Sequence, residues 1–463
     1  MTSPQPDRLP TARLIAYSAP SLVTSIAALP MALFVPAFYS GDLGVPLAAV
    51  GGAIAFSRLL DVVTDPLIGL LSDRLPLPLG RRKTWMALGV PLFLVAIWQI
   101  FVPGDSASAT HLLVWSAALY LSFTMIDLPH KAWGAELSTE YDERSRITSW
   151  REAISTVGQV ALLAVLVWMA SRGIENAALQ LQGIALAVVV ALPVLMLCCL
   201  VLVAERPPER VGPAPQSVLA GLRLVAQNPA FRKMVGCVLF FVSGVAIQGT
   251  LHRLVLADVV LDEGRFPLMI LLENLATLAV VPVWLRLSSR FGKPQALLFA
   301  ALWLAIWSIP MAFLREGQAL LLIGLVVIRG SSFAAILFLS NSIAADVIDV
   351  DTLESGEQRS GLFFAVWGML IKLALAFGVV LGTALPSLAG YDPSAEIVPP
   401  AIQGRVMAIY GGVPALLMFV GALFLRDFPI TRARHAEVRA RIEARLSGGP
   451  ESVIPTPGHE ATQ

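Results

Sequence analysis

The chain has 463 residues, 56% hydrophobic and 14% charged, with 33 basic side chains against 32 acidic ones and a net charge of +1. A water-soluble domain carries about 25% charged residues, so this composition, with a mean hydropathy of +0.74, excludes a soluble globular protein and calls for one that crosses the membrane many times. The three cysteines, Cys198, Cys199 and Cys237, fall in apolar stretches, which excludes a disulfide framework or a zinc site of ordinary spacing.

The first residues are polar and the first apolar run is long, so no cleaved signal peptide is expected. Apolar segments of membrane-spanning length follow near 14–39, 46–71, 84–103, 110–136, 147–170 and 182–203, and again near 232–256, 266–288, 294–313, 318–345, 360–387 and 403–425. The expected fold is all-α and integral to the membrane, with about twelve spanning helices in two bundles of six. The expected division is 1–203 for the first bundle, 204–231 for a Pro-rich basic linker, 232–425 for the second bundle and 426–463 for a tail. Basic residues recur at alternate loops. Arg8 and Arg13 precede the first segment, Arg74, Arg81, Arg82 and Lys83 follow the second, and Arg144 and Arg146 follow the fourth. Arg290 and Lys293 follow the eighth, and Arg432, Arg434, Arg439 and Arg441 follow the last. The excess of Lys and Arg on one side places both termini in the cytoplasm. The stretch 431–446 reads as a basic surface helix, and the remainder of the tail as disordered. A short internal echo, Leu71-Ser72-Asp73-Arg74 against Leu287-Ser288-Ser289-Arg290, agrees with a repeated half.

Within the second segment, Asp61 and Asp65 stand at i, i+4 on one helical face. At about 1.5 Å per residue they lie roughly 18 and 12 Å in from Asp73, close to the middle of a ~30 Å hydrocarbon slab. A carboxylate there costs on the order of 2.5–3.5 kcal/mol, so the pair calls for a cation. A transported ion satisfies that demand, and so does a structural ion pair with Lys372 or with Arg58 one turn away. Lys372, alone in an apolar stretch of the eleventh segment, should face Asp61 or Asp65. Asp127 and Arg151 lie at roughly 14 and 8 Å from their helix ends. They can pair with each other, hold a substrate's hydroxyl groups, or do both. Glu273 has either a substrate-binding or a proton-carrying role, and His252 and Arg253 read as interfacial.

Three stretches resemble the glycoside–pentoside–hexuronide:cation symporters, the melibiose-permease-like branch of the major facilitator superfamily. The first is Asp61-Val-Val-Thr64-Asp65-Pro66 with Ser72-Asp73-Arg74 and Gly80-Arg81-Arg82. The second is Asp127-Leu-Pro129-His-Lys-Ala-Trp133-Gly134-Ala-Glu136, leading into Asp142-Glu143-Arg144 and Trp150-Arg151-Glu152. The third is Ala345-Asp346-Val-Ile-Asp349-Val-Asp351, leading to Arg359 and Lys372. The resemblance implies a cation site at Asp61, Asp65, Thr64 and Thr124, with Lys372 as its charge partner. It also implies substrate contacts at Asp127, Arg151 and Trp133. The charges at the cytoplasmic rim, Asp73, Arg74, Arg81, Arg82, Asp142, Arg144 and Arg359, read as a gate between the bundles. Two departures stand out: the first segment has no charged residue between Arg13 and Asp42, where galactoside-carrying relatives place a carboxylate, and Lys131 stands where an aromatic is usual, with Trp133 two residues later.

The expected function is symport of a small polar solute (a sugar, glycoside or uronide) with Na⁺ or H⁺, by alternating access in a bacterial inner membrane. The alternative is a lipid or lysolipid transporter on the same scaffold. A membrane-embedded enzyme finds no support, because HExxH, Walker A and GxSxG motifs are absent. A non-transporting sensor would have no need of Asp61, Asp65 and Lys372. No cofactor, no metal beyond the coupling cation and no nucleic-acid partner are expected, and the chain reads as a monomer in the lipid bilayer.

Overall fold

The computed structural model describes residues 8–75, 78–104, 107–172, 176–206, 228–355, 359–391 and 398–446. The described residues are helical throughout, without strands. The first six helices are α1 (Thr11–Leu33, prolonged by a wide turn over Phe38–Asp42), α2 (Leu47–Arg74), α3 (Lys83–Phe101), α4 (Ala109–Glu136), α5 (Tyr141–Ser171) and α6 (Ala177–Leu202). The next are α7 (Pro229–Leu254), α8 (Phe266–Phe291), α9 (Lys293–Ser308), α10 (Ala319–Gly330), α11 (Phe333–Ser355), α12 (Ser360–Leu388) and α13 (Pro400–Leu423), and α14 (Arg432–Leu446) closes the chain. Among the described residues nine helical stretches are long and apolar enough to span a membrane, α10 and α11 counting as one. The helices α1, α2 and α5, of 23, 28 and 31 residues, also have membrane-spanning length. The linker expected at 204–231 falls mainly in 207–227, and the tail beyond 446, both outside the described residues.

Local chemistry sets the helix ends. Ser108, Asn176 and Asn228 each accept a hydrogen bond from a backbone N–H three residues on, capping α4, α6 and α7. Gly292, at φ +92°, alone joins α8 to α9. A side chain there would meet the left-handed penalty that glycine escapes.

The tenth span, expected to be continuous, is broken at Ser331–Ser332 after Arg329-Gly330. A Gly/Ser break frees carbonyls that lipid cannot satisfy. Here the carbonyl of Ile328 accepts from Trp303 Nε1 at 2.7 Å, that of Gly330 from Thr277 Oγ1 at 2.8 Å and that of Ser331 from Trp284 Nε1 at 2.9 Å. The break is therefore sealed by donors from α8 and α9.

Buried apolar residues of α1–α6 form one core, from Leu14 to Val203. Two further cores draw on α7–α13, and one of them reaches across to Leu128, Ala132 and Ala135 of α4. The halves meet where α12 packs on α2 and α4, and where α5 packs on α8 and α11. The α2–α12 crossing is backbone to backbone. A Cβ on Gly69 would lie 2.6 Å from the carbonyl oxygen of Gly361, and one on Gly361 would lie 2.4 Å from that of Gly69. Small residues allow such an approach between membrane helices. Overpacking a tight site costs about 1–3 kcal/mol. Gly69→Val should thus lower the thermal midpoint in detergent by several degrees. Gly52→Val, on the same helix with nothing within 4 Å of its Cβ, should leave it unchanged. Equal midpoints for the two variants would show that the crossing is not tight.

Candidate functional site

The crossing at Gly69 sets the register of α2 against α12. Asp65, Gly69 and Asp73 follow one another at i+4 on α2, and Gly361, Ala365, Gly368 and Lys372 form a matching row on α12. The helices run antiparallel, and a helical side chain leans toward its own N-terminus. Lys372 therefore reaches down toward Asp65. Asp65 is 1% exposed. Its Oδ2 accepts from Lys372 Nζ at 2.7 Å and its Oδ1 accepts from Thr124 Oγ1 of α4 at 2.7 Å. The Lys372 side chain stays one-third exposed. The structure thus joins Asp65, Thr124 and Lys372. Asp61 lies one turn along α2, but its side chain is outside the described residues. Among the described residues the Thr64 hydroxyl is buried and has no hydrogen bond to the triad.

The triad opens on a cavity of about 300 Å³ between the halves, lined also by Asp127, Lys131, Arg151, Glu152 and Asn341. Asp127 is held by two cations, Lys131 Nζ at 2.6 Å on Oδ2 and Arg151 at 3.3 Å on Oδ1. Arg151 also donates to Glu152 in a short contact, and Glu152 Oε1 accepts from Asn341 Nδ2 at 3.3 Å. Asp127 and Arg151 thus pair and also face the cavity. Lys131, Glu152 and Asn341 carry no assigned role in the sequence reading. The signal for Asn341 was a lone amide in an apolar span.

Trp133 needs correction as a substrate contact. It is fully buried and stacks edge-on against Tyr17 at 6.0 Å, away from the cavity lining. Six residues beyond Asp127 it is rotated about 240° round α4, whereas Lys131 at i+4 shares the face of Asp127. Beside it Tyr17 and His130 clasp α1 to α4. The Tyr17 hydroxyl donates to the carbonyl of His130 at 2.9 Å, and His130 Nε2 meets the carbonyl of Tyr17 at 2.7 Å.

At the end of the bundle that holds the basic loops, Asp73 accepts from the backbone N–H groups of Gly361 and Leu362, each at 2.9 Å, and so caps α12 from the other half. Arg82 binds Asp73 at 2.5 Å and Glu136 at 2.7 Å, and Arg81 binds Glu136 at 2.9 Å. Burial works against the Arg82 charge, but Glu136 and Asp73 outweigh it and hold its pKa above the ordinary value. Arg144 bridges to Asp349 at 2.6 Å and to Asp346 at 3.3 Å, and Lys293 also binds Asp346 at 2.5 Å. Asp142 crosses to Arg432 at 2.9 Å. Arg359 pairs instead with Asp351 of its own half at 2.7 Å, and Arg74 sits exposed at the end of α2. The expected surface helix α14 is in part a cover: His435 and Arg439 are buried, and His435 Nε2 lies 3.0 Å from Asp349.

Glu273 lies in a separate buried network. It accepts from Arg329 at 2.6 Å, and Arg329 also donates to Gln248, which donates on to Ser308 Oγ at 3.1 Å. His252, expected at the interface, is buried with Nδ1 2.7 Å from the Tyr410 hydroxyl. Arg329 is a lone charge inside the expected 318–345 segment, and the cost of burying it is the sequence signal that marks it.

Residues 16–432 match the family described as MFS/sugar transport protein. The chain is 21% identical to a glucuronide carrier protein homolog of Escherichia coli, covering 93% of this chain and 95% of that one. It is 24% identical to the human sodium-dependent lysophosphatidylcholine symporter 1, over 84% of this chain and 77% of that one. The crystal structure of the E. coli fucose:proton symporter superposes with a TM-score of 0.66 at 15% identity, covering 90% of this chain and 98% of that one. The likeness to that structure is one of fold. The family match extends over most of the chain and takes in all three motif stretches, and the chain belongs to the major facilitator superfamily, within its glycoside–pentoside–hexuronide:cation symporter family of sugar-transport-type proteins.

Proposed function

We propose that the protein is a cation-coupled symporter of a small polar solute, a sugar, glycoside or uronide, working by alternating access. The observation that carries this reading is the Asp65–Thr124–Lys372 triad at the edge of a charged cavity. In it the Lys372 ammonium stands where a coupling cation would bind. A buried carboxylate needs one positive partner at all times. An arriving Na⁺ or H⁺ therefore takes Asp65 and releases Lys372 toward the cavity, and the released lysine adds a donor for the solute. Affinities of ion and solute rise together, as linkage requires. The Thr124 hydroxyl beside Asp65, with Asp61 one turn away, offers the several oxygens that favour Na⁺, whereas a proton needs one carboxylate only. The solute faces Asp127 and Arg151.

In this reading both termini lie in the cytoplasm of a bacterial inner membrane, an orientation that the excess of Lys and Arg in the alternate loops supports. The cavity then faces outward, and Asp73, Asp142 and Arg144 close the cytoplasmic side by contacts with the other half. A lysolipid carrier is the second reading, favoured by the name of the human relative. A cavity of about 300 Å³ lined by ion pairs suits a compact polar solute better, at the low end of small-molecule sites.

Asp65→Asn should insert and fold yet lose cation-stimulated binding and uphill uptake into vesicles under imposed Na⁺ or H⁺ gradients. Uptake equal to the parent's would refute the coupling role. Lys372→Gln removes the resident competitor, so NaCl should raise its thermal midpoint over choline chloride by a few degrees more than in the parent; a smaller rise would count against displacement. Asp349→Asn should loosen the cytoplasmic closure. A cysteine introduced at Ser342, in a background with Cys198, Cys199 and Cys237 replaced by Ser, should then react several-fold faster with an impermeant maleimide in inside-out vesicles. An unchanged rate would argue that Arg144–Asp349 is no gate.

A further inference from the structure

The two halves contribute unequally to the cavity. From α11 and α12 the lining residues are Leu337, Asn341, Gly368, Ile371 and Lys372. Lys372 is engaged by Asp65. Asn341 is thus the neutral polar group that the second half offers, and its orientation is determined. Its Oδ1 accepts from Trp367 Nε1 at 3.2 Å and its Nδ2 donates to Glu152 at 3.3 Å. An indole N–H only donates and a carboxylate only accepts, so the amide can sit only one way round. Trp367 is 1% exposed and packs against Phe231 at 6.4 Å. That rigid support is the mark of a binding group held in place.

Opposite Asn341, α5 presents a polar row, Glu152, Ser155 and Gln159, along one face over roughly 10 Å. All three line the cavity. The Ser155 hydroxyl and the Gln159 amide can each donate and accept a hydrogen bond. The Asn341–Glu152 contact is itself long, since charge-assisted bonds run near 2.7–2.9 Å. It is the place where a third group enters most cheaply.

We propose that Asn341 and Glu152 are substrate-binding residues that tie the halves together through the solute, and that the group bound between them is a hydroxyl of a polyhydroxylated solute. A hydroxyl can donate to Glu152 and accept from Asn341 at once. A carboxylate cannot donate to Glu152, and an acyl chain can do neither. Ser155 and Gln159 take the next polar groups of the solute along α5. Trp367 is a positioning residue that acts through Asn341. The inference rests on the symport reading and narrows its substrate to solutes with a hydroxylated face.

The test is binding by calorimetry to the full-length protein in nanodiscs with NaCl. The probes are methyl β-D-glucoside, methyl β-D-xyloside, methyl β-D-glucuronide, their monodeoxy analogues, and lysophosphatidylcholine. The parent should bind at least one glycoside and lose affinity for one of its deoxy analogues. Asn341→Leu should bind that glycoside about tenfold or more weakly, the loss expected when a buried donor is removed. Asn341→Asp, which keeps the shape but faces Glu152 with a like charge, should lose at least as much. Trp367→Phe should weaken binding a few-fold without changing the NaCl-induced rise in thermal midpoint, which reports on Asp65. Unchanged glycoside affinity in both Asn341 variants would overturn the proposal and leave the symport reading standing. A parent that binds no glycoside would overturn the reading of the substrate itself.

Discussion

A carboxylate buried at mid-span has to be met by a positive charge, and much of this structure is arranged to meet that demand at Asp65. The residue is almost wholly buried, with one oxygen on the Thr124 hydroxyl and the other on the Lys372 ammonium. Three helices from two halves of the chain are held by this one group. Its geometry depends in turn on the backbone contact between Gly69 and Gly361, because only a close crossing lets a lysine on α12 reach one turn above that point on α2. In the proposed cycle the ion pair is also the coupling device, since the only way to release Lys372 without stranding a charge is to supply another cation.

The end of the bundle below this pair is held by contacts of a different kind. Asp73 caps the first turn of α12, so an acid of one half satisfies orphan N–H groups of the other. Arg144, Asp346, Asp349 and Lys293 form a buried charge cluster, and α14 lies over it with His435. Such clusters contribute little net stability, because desolvation offsets most of the attraction. They are therefore suited to closing and opening, as apolar packing of the same area would not be. The network around Arg329 differs: it ties α7, α8 and α9 to the end of α10, next to a sealed helix break, and lies apart from the cavity lining.

The sequence by itself determined the class of protein, the places of the spans and which charges lie inside them. Hydrophobic length reveals a membrane helix because the slab has a fixed thickness, and isolated charges in such runs stand out because they are costly. Thus Asp65, Lys372, Asp127 and Arg151 were all legible, and so was their tendency to pair. Tertiary structure decided which groups share a face across helices. The spacing along α4 that puts Lys131 beside Asp127 and turns Trp133 away is a rotation about the helix, and the motif alone does not report it. The break in the tenth span, and Arg329 beside it, depend on side-chain donors from α8 and α9, far away in the chain. Likewise Asn341 is an unremarked amide in an apolar run until Trp367 and Glu152, from two other helices, fix which way it points. One-dimensional pattern carries the cost of burying a polar group, and only the packed helices determine which partner offsets it.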